Sequence, residues 1–237
     1  MRRYERPHIN EVRCGDSSVG PYLKTTDGVK HKVFIIALID DASRFLVGID
    51  VFFNDNFVTL MSVMKSAVAK YGRPMLLNFD NGKSYRNRQM ELLAARIGSV
   101  IHYDQPYTPT QKAKIERWFR TMKDQWMATL DIRDFHSPDE LRGNLLAYVN
   151  SYNQSPHSSL KGKSPMDRFF SEPDYFHRLP EDEIDKNFLL EIERRVSADN
   201  VIVIDQVEYE VDCRFAKQRI KLRYSPDLKD IFIVEAD

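Results

Sequence analysis

Two apolar, β-rich runs, residues 32–40 and 44–53, stand on either side of the short polar turn Asp41-Ala42-Ser43. That pattern reads as a hairpin of two long strands. Residues 11–16 read as a strand before it, with 17–24 continuing it or bulging away. Beyond the hairpin the period changes. Phe57, Leu60, Met61, Met64, Ala67 and Val68 recur at helical spacing between Asn56 and Tyr71, and Gly72-Arg73-Pro74 stops the helix. A short buried strand follows at 75–79, a helix at 84–97 that ends on Gly98, and a second short strand at 100–103. The Pro/Thr-rich stretch 106–110 precedes a long helix from about Lys112 to Leu130. Pro138 opens one more helix, to about Tyr152. Three strands, then alternating helix and strand, then helices, predict a mixed α/β plan rather than a fully wound parallel sheet.

The pattern shifts again toward the end. Residues 171–193 hold eight acids against Arg178 and Lys186, and read as an acidic linker with some helix. From Val196 the apolar residues alternate: Val201 and Val203, Val207, Tyr209 and Val211, Ile220 and Leu222, Ile231 and Ile233. Short alternating strands predict a small β-barrel. The expected organisation is a core at 1–170, a linker at 171–195 and a thin barrel at 196–237.

Composition narrows the function classes. At 42% hydrophobic and 30% charged residues the chain is ordinary for a globular protein, not a disordered one. Its longest apolar run, residues 33–39, falls far short of the roughly 20 residues a membrane helix needs. With no charged-then-apolar leader and two cysteines, Cys14 and Cys213, the expectation is a reducing cytoplasm and no disulfide framework. The net charge of zero hides an asymmetry. Residues 1–170 hold 25 basic and 18 acidic side chains, which is compatible with a polyanionic partner.

Candidate chemistry rests on carboxylates. Asp80 ends the strand at 75–79, where an oxygen ligand over a rigid sheet is well placed to hold a divalent metal, although Asp80-Asn81-Gly82 is also an ordinary turn sequence. Glu116 lies at the edge of the apolar stripe Ile115, Phe119, Met122 and Trp126, with Trp118 alongside. Lys112, Lys114, Arg117, Arg120 and Lys123 surround it, so the helix reads either as a solvated face with i,i+4 ion pairs or as a lone carboxylate among phosphate-facing cations. The interval from Asp80 to Glu116 selects nothing, since Asp55/Glu91, Asp104/Glu140, Asp174/Glu210 and Asp199/Glu235 share it. Gly82-Lys83-Ser84 and Gly162-Lys163-Ser164 lack the upstream glycine of a phosphate-binding loop, so no ATP site is expected.

The surroundings of these acids resemble the catalytic core of the retroviral-integrase superfamily, the DDE transposases and integrases with an RNase H-like fold. The matching stretches are Arg13-Cys14-Gly15-Asp16 with Gly20-Pro21-Tyr22-Leu23, Ile39-Asp40-Asp41-Ala42-Ser43-Arg44, Phe79-Asp80-Asn81-Gly82, Pro106-Tyr107-Thr108-Pro109 leading to Lys114-Ile115-Glu116-Arg117-Trp118-Phe119, and Tyr152-Asn153 with His157-Ser158-Ser159-Leu160 and Ser164-Pro165. They occur in the family's order over roughly residues 8–170. Arg13 departs from the pattern, standing where an aromatic is frequent. The tail, with Glu208-Tyr209-Glu210-Val211 and Leu222-Arg223-Tyr224-Ser225-Pro226, is similar to the β-barrel that follows the core in bacterial insertion-sequence and phage Mu-type transposases.

The resemblance implies an RNase H-like core with a mixed central sheet and flanking helices, plus the small C-terminal barrel. It makes Asp16, Asp80 and Glu116 the catalytic and metal-binding triad for two Mg²⁺ (or Mn²⁺) ions. Paired ions of this kind serve both the attacking and leaving oxygens of a phosphodiester. The implied activity is a transposase's: cleavage of DNA at element ends, then strand transfer of the 3′-hydroxyl into target DNA. Lys112, Lys114, Arg117, Arg120 and Lys123 become candidate DNA-backbone contacts, with Tyr107 and Gln111 near the scissile strand. Asp40 and Asp41 become structural, Cys14 a small core residue, and His157 a structural residue. DNA and further copies of the chain in a synaptic complex are the implied partners, with a helper protein left open. No zinc module or helix-turn-helix precedes Asp16 in this sequence, so the expectation is either a fragment or a core that obtains end recognition elsewhere. Two rivals are a structure-selective nuclease on the same fold and a non-catalytic DNA-binding or assembly module derived from a transposase.

Overall fold

The computed structural model describes residues 6–82, 84–104 and 112–234. Two compact units divide the chain, residues 1–184 and 185–237.

The first unit is built on a five-stranded sheet. Strand β1 (Val12–Lys24) pairs antiparallel with β2 (Lys30–Asp40), which pairs antiparallel with β3 (Leu46–Phe52). On the other edge of β1 run β4 (Leu76–Phe79) and then β5 (Val100–Tyr103), both parallel, giving the order β3-β2-β1-β4-β5. This is the mixed sheet expected, with the first three strands antiparallel. The register of β1 against β2 shifts between Val19 and Tyr22, at Gly20-Pro21. Pro21 has no N–H to give to a ladder, so a bulge there is the natural outcome.

From Val33 to Ile39 strand β2 is apolar because this part of it is buried on both faces. Val33, Ile35, Ala37 and Ile39 join one core with α3 (Ala113–Gln125) and α4 (Pro138–Gln154). Ile36 and Leu38, also buried, point to the opposite face. Helix α1 (Phe57–Tyr71) packs on β2 and β3, closely enough at Gly48 that a Cβ would meet Val63 at 3.0 Å. Asn56 caps α1 with a reciprocal capping box to Thr59.

Helix α2 (Arg88–Ile97) is shorter than the 84–97 expected. Asn87 accepts from Met90 N–H as an N-cap, which leaves Ser84 to Asn87 as turn. Helix α3 likewise ends at Gln125, with a 3-10 turn at Met127–Thr129 in place of its last turn. Near the end of α4, the buried Asn153 bonds both backbone groups of Leu46, accepting at 3.0 Å and donating at 3.4 Å. The β2–β3 register shifts there, and a side-chain amide stands in for the interrupted ladder.

Arg13, in the position where an aromatic is common, is fully buried. Its guanidinium donates to Asn10 Oδ1 at 2.7 Å and to the Tyr71 carbonyl at 3.1 Å. Burial lowers its pKa to about 10, against the pull of Asp40.

After α4 the first unit continues through α5 (Pro165–Phe169) and a 3-10 turn (Pro173–Tyr175), and α6 (Glu181–Asn187) runs across the boundary at residue 184. The stretch expected as linker also contains a strand, β6 (Leu190–Arg195). Its apolar Leu190 and Ile192 alternate with charged residues, a strand pattern masked in sequence by the acidic composition. Strand β6 pairs with β9 (Arg219–Tyr224), which pairs with β10 (Ile231–Val234), all antiparallel. Strands β7 (Val201–Ile204) and β8 (Val207–Glu210) form a separate hairpin, turned by Asp205 and Gln206, both at positive φ. Among the described residues, the region expected as a barrel holds a three-stranded sheet and a two-stranded hairpin over a core of Val196, Ile202, Ile204, Ile220, Leu222 and Tyr224.

Candidate active site

Asp16 projects from β1, and Asp80 follows the last residue of β4, so two adjacent interior strands of the sheet bring them side by side. The strands approach each other tightly. A Cβ on Gly15 would lie 2.2 Å from Phe79 Cε1, so glycine is the residue that allows this packing next to both acids. The Gly82 N–H donates to Asp80 Oδ1 at 2.8 Å, and the Ser17 N–H to Asp16 Oδ1 at 2.9 Å. Both carboxylates are therefore held in place before any ligand arrives.

Between them sits an ammonium. Lys112 Nζ is 3.4 Å from Asp16 Oδ1 and 3.3 Å from Asp80 Oδ2. The Lys112 side chain is 10% exposed, and its Nζ lies 5.8 Å from the ring centre of Tyr85. Tyr85 stacks on Phe79 at 5.2 Å. Burial raises the Asp16 pKa, with Lys112 pulling the other way and Asp80 adding to the rise. The Tyr85 hydroxyl is pushed upward too, mainly by burial, beside Asp16, Asp55 and Asp80. Asp55 enters through Ser17, whose hydroxyl donates to Asp55 Oδ2 at 2.6 Å.

Glu116 stands elsewhere. It lies on the first turn of α3, exposed, one turn after Lys112. Among the described residues no three His, Cys, Asp or Glu side chains converge as a metal-holding group. The structure thus brings Asp16 and Asp80 together and leaves Glu116 outside. Two fixed carboxylates converging on one cation do suit a hard divalent ion such as Mg²⁺ or Mn²⁺.

The five cations of α3 divide. Lys112 is buried at the aspartates, and Lys114 Nζ pairs with Asp41 Oδ2 at 2.6 Å under the sheet end. Neither is disposed in this structure as a surface contact for DNA. Arg117 and Arg120 are exposed and Lys123 half-exposed, as a phosphate-facing surface requires. Tyr107 and Gln111 lie outside the described residues. Asp40 accepts from Asn10 N–H and from Ser43, inside the core. Cys14 is buried, its thiol pushed up to about 12 chiefly by burial. His157 Nδ1 accepts from Ser159 N–H within a 3-10 turn. Sequence reasoning missed Tyr85 and Asp55 at the site. Each sits in a polar stretch that looks like an ordinary turn or helix lead-in, and no local signal separates them from one.

Residues 7–109 and 97–165 each match the family described as the integrase core domain. The chain belongs to the integrase core family. Its fold is the RNase H-like fold of the integrase catalytic cores. The transposase for transposon Tn552 of Staphylococcus aureus is 24% identical over 226 residues, covering 85% of this chain and 46% of that protein. The chain therefore spans less than half the length of that relative. Among solved structures, the catalytic core domain of HTLV-2 integrase in complex with magnesium matches at a TM-score of 0.55 and 16% identity, over 69% of this chain and 98% of that one. The catalytic core of BIV integrase matches at 0.55 and 17%, over 70% and 97%. The simian T-cell lymphotropic virus intasome matches at 0.55 and 14%, over 99% of this chain and 82% of that one. In this integrase core, no helix among the described residues is long and apolar enough to cross a membrane.

Proposed function

We propose that this integrase core is the catalytic part of a transposase that cleaves DNA at element ends and joins the freed 3′-hydroxyl to target DNA. The observation that carries the reading is the convergence of Asp16 and Asp80 on one cation, at 3.4 and 3.3 Å. Asp16 and Asp80 would hold divalent ions, with Glu116 as the third ligand and two Mg²⁺ or Mn²⁺ ions in all. Such ions lower the pKa of the attacking oxygen and offset charge on the leaving one.

The chain's own groups prepare that site. The backbone amides of Ser17 and Gly82 orient the two carboxylates. Tyr85 and Phe79 wall the site with aromatic surface, which strengthens every charge interaction inside it. Arg117, Arg120 and Lys123 offer phosphate contacts along α3 beside Glu116. The dimeric form of the HTLV-2 core and the viral intasome support action on DNA as an oligomer, here on paired element ends in the cytoplasm.

The test is plasmid nicking and strand joining in Mg²⁺ or Mn²⁺, wild type against Asp80→Asn. Nicking with strand joining that falls at least ~100-fold in the variant is expected, since a metal ligand supplies several kcal/mol to the transition state. Nicking without joining would favour the nuclease. DNA binding identical in both proteins, with no cleavage and no Asp80-dependent Mn²⁺ binding, would favour the assembly module.

A further inference from the structure

We infer that Lys112 is a built-in counter-cation: it holds Asp16 and Asp80 together before ion loading and gives up its place when the ion enters. The inference rests on the metal-binding reading above and adds a competitor to it. Two observations carry it. The Lys112 ammonium lies within 3.4 Å of an oxygen of each aspartate, so it occupies the position a shared cation needs. Its side chain is almost wholly covered, at 10% exposure, so this is a seated group and not a surface lysine passing by.

An ammonium and a divalent ion cannot share that space. A Mg²⁺-sized ion takes oxygen ligands at about 2.0–2.1 Å and carries twice the charge, so it wins at sufficient concentration but must first displace the lysine. The helix supplies the exchange partner. Lys112 and Glu116 are four residues apart at the start of α3, on nearly the same face. Departure of the ammonium clears space on the face that also presents Glu116. One helical turn thus carries both the cation that keeps the apo site paired and the acid proposed to complete the loaded one.

The consequence is a site that binds its ion more weakly than its carboxylates alone would, with the lysine setting the threshold. The experiment is Mn²⁺ binding by the full chain without DNA, followed by the electron paramagnetic resonance of free Mn²⁺, together with the thermal midpoint of the metal-free protein. Lys112→Gln is expected to tighten Mn²⁺ binding by about tenfold while lowering the metal-free midpoint, because a competing charge and an internal ion pair are lost together. Lys112→Arg, which keeps the charge, is expected to stay within a few-fold of wild type. Should Lys112→Gln fail to fold, Lys112→Met keeps the aliphatic stem near Tyr85 and answers the same question. Asp80-dependent Mn²⁺ binding that is unchanged or weakened by loss of the lysine charge overturns the counter-cation while leaving the metal site standing. Absence of Asp80-dependent binding in every variant overturns both.

Discussion

At the scale of single residues, Asp16 shows how a reactive site is held at a cost. Burial raises its pKa above the ordinary value of about 3.9, more than Lys112 and the Ser17 amide lower it. A raised folded value means that the group's contribution to stability is full below the unfolded pKa and is lost as pH rises through the folded one. At neutral pH the ionised carboxylate therefore destabilises the fold. Asp16→Asn keeps the shape and removes the charge. Its metal-free thermal midpoint is expected to rise by a few degrees at pH 7, with the gain shrinking toward pH 4, while Mn²⁺ binding is lost. Calorimetry across that pH range checks it; a midpoint that falls at pH 7 would mean that the pairing with Lys112 outweighs the burial.

At the scale of elements, the site depends on how closely β1 and β4 approach. They share a short parallel ladder, paired from Val12 with Leu76 to Cys14 with Asn78, and Gly15 continues the approach under Phe79. Gly15→Ala would force Phe79 aside, because a methyl cannot sit 2.2 Å from an aromatic carbon. A destabilisation of about 1–3 kcal/mol is expected in denaturant titration. Since Phe79 directly precedes Asp80, Mn²⁺ affinity should fall as well. A stable Gly15→Ala protein with wild-type Mn²⁺ affinity would show that β4 can slide without moving the carboxylate. The apolar run that marks β2 in the sequence has the same physical origin: a strand buried on both faces needs apolar residues at consecutive positions.

At the scale of the whole molecule, the net charge of zero conceals a basic first 170 residues. Two of the five α3 cations are committed inside, which leaves Arg117, Arg120 and Lys123 for phosphates. Each phosphate contact releases counterions, so duplex affinity should fall steeply between 50 and 200 mM salt, with a log–log slope of about 0.9 per contact. Replacing Arg120 and Lys123 together by Gln is expected to flatten that slope by nearly 2, whereas Lys114→Gln should leave it unchanged and lower stability instead. Fluorescence anisotropy across a salt series distinguishes them. An unaltered slope in the Arg120/Lys123 variant would remove this face of α3 from the DNA path.

Much of this was legible along the chain because the signals are local. Apolar, β-rich runs mark β2 and β3, the helical period marks α1 and α3, and Gly72, Gly98 and Pro138 mark helix ends; each follows from which sides of a short segment meet the core. The order of motifs was enough to expect the family, the mixed sheet and the positions of Asp16 and Asp80. Side-chain direction was not legible. Whether Lys112 faces a phosphate or two carboxylates depends on where β1 and β4 end, far away in sequence, and a lysine on a helix gives the same local pattern either way. The same holds for Lys114 with Asp41, for Tyr85 and Asp55 around the site, and for Glu116, whose exposure follows from the seating of α3 on the sheet. Periodicity reports the face a residue occupies; only packing brings distant charges to within 4 Å, where Coulomb energy and desolvation settle which of them pair.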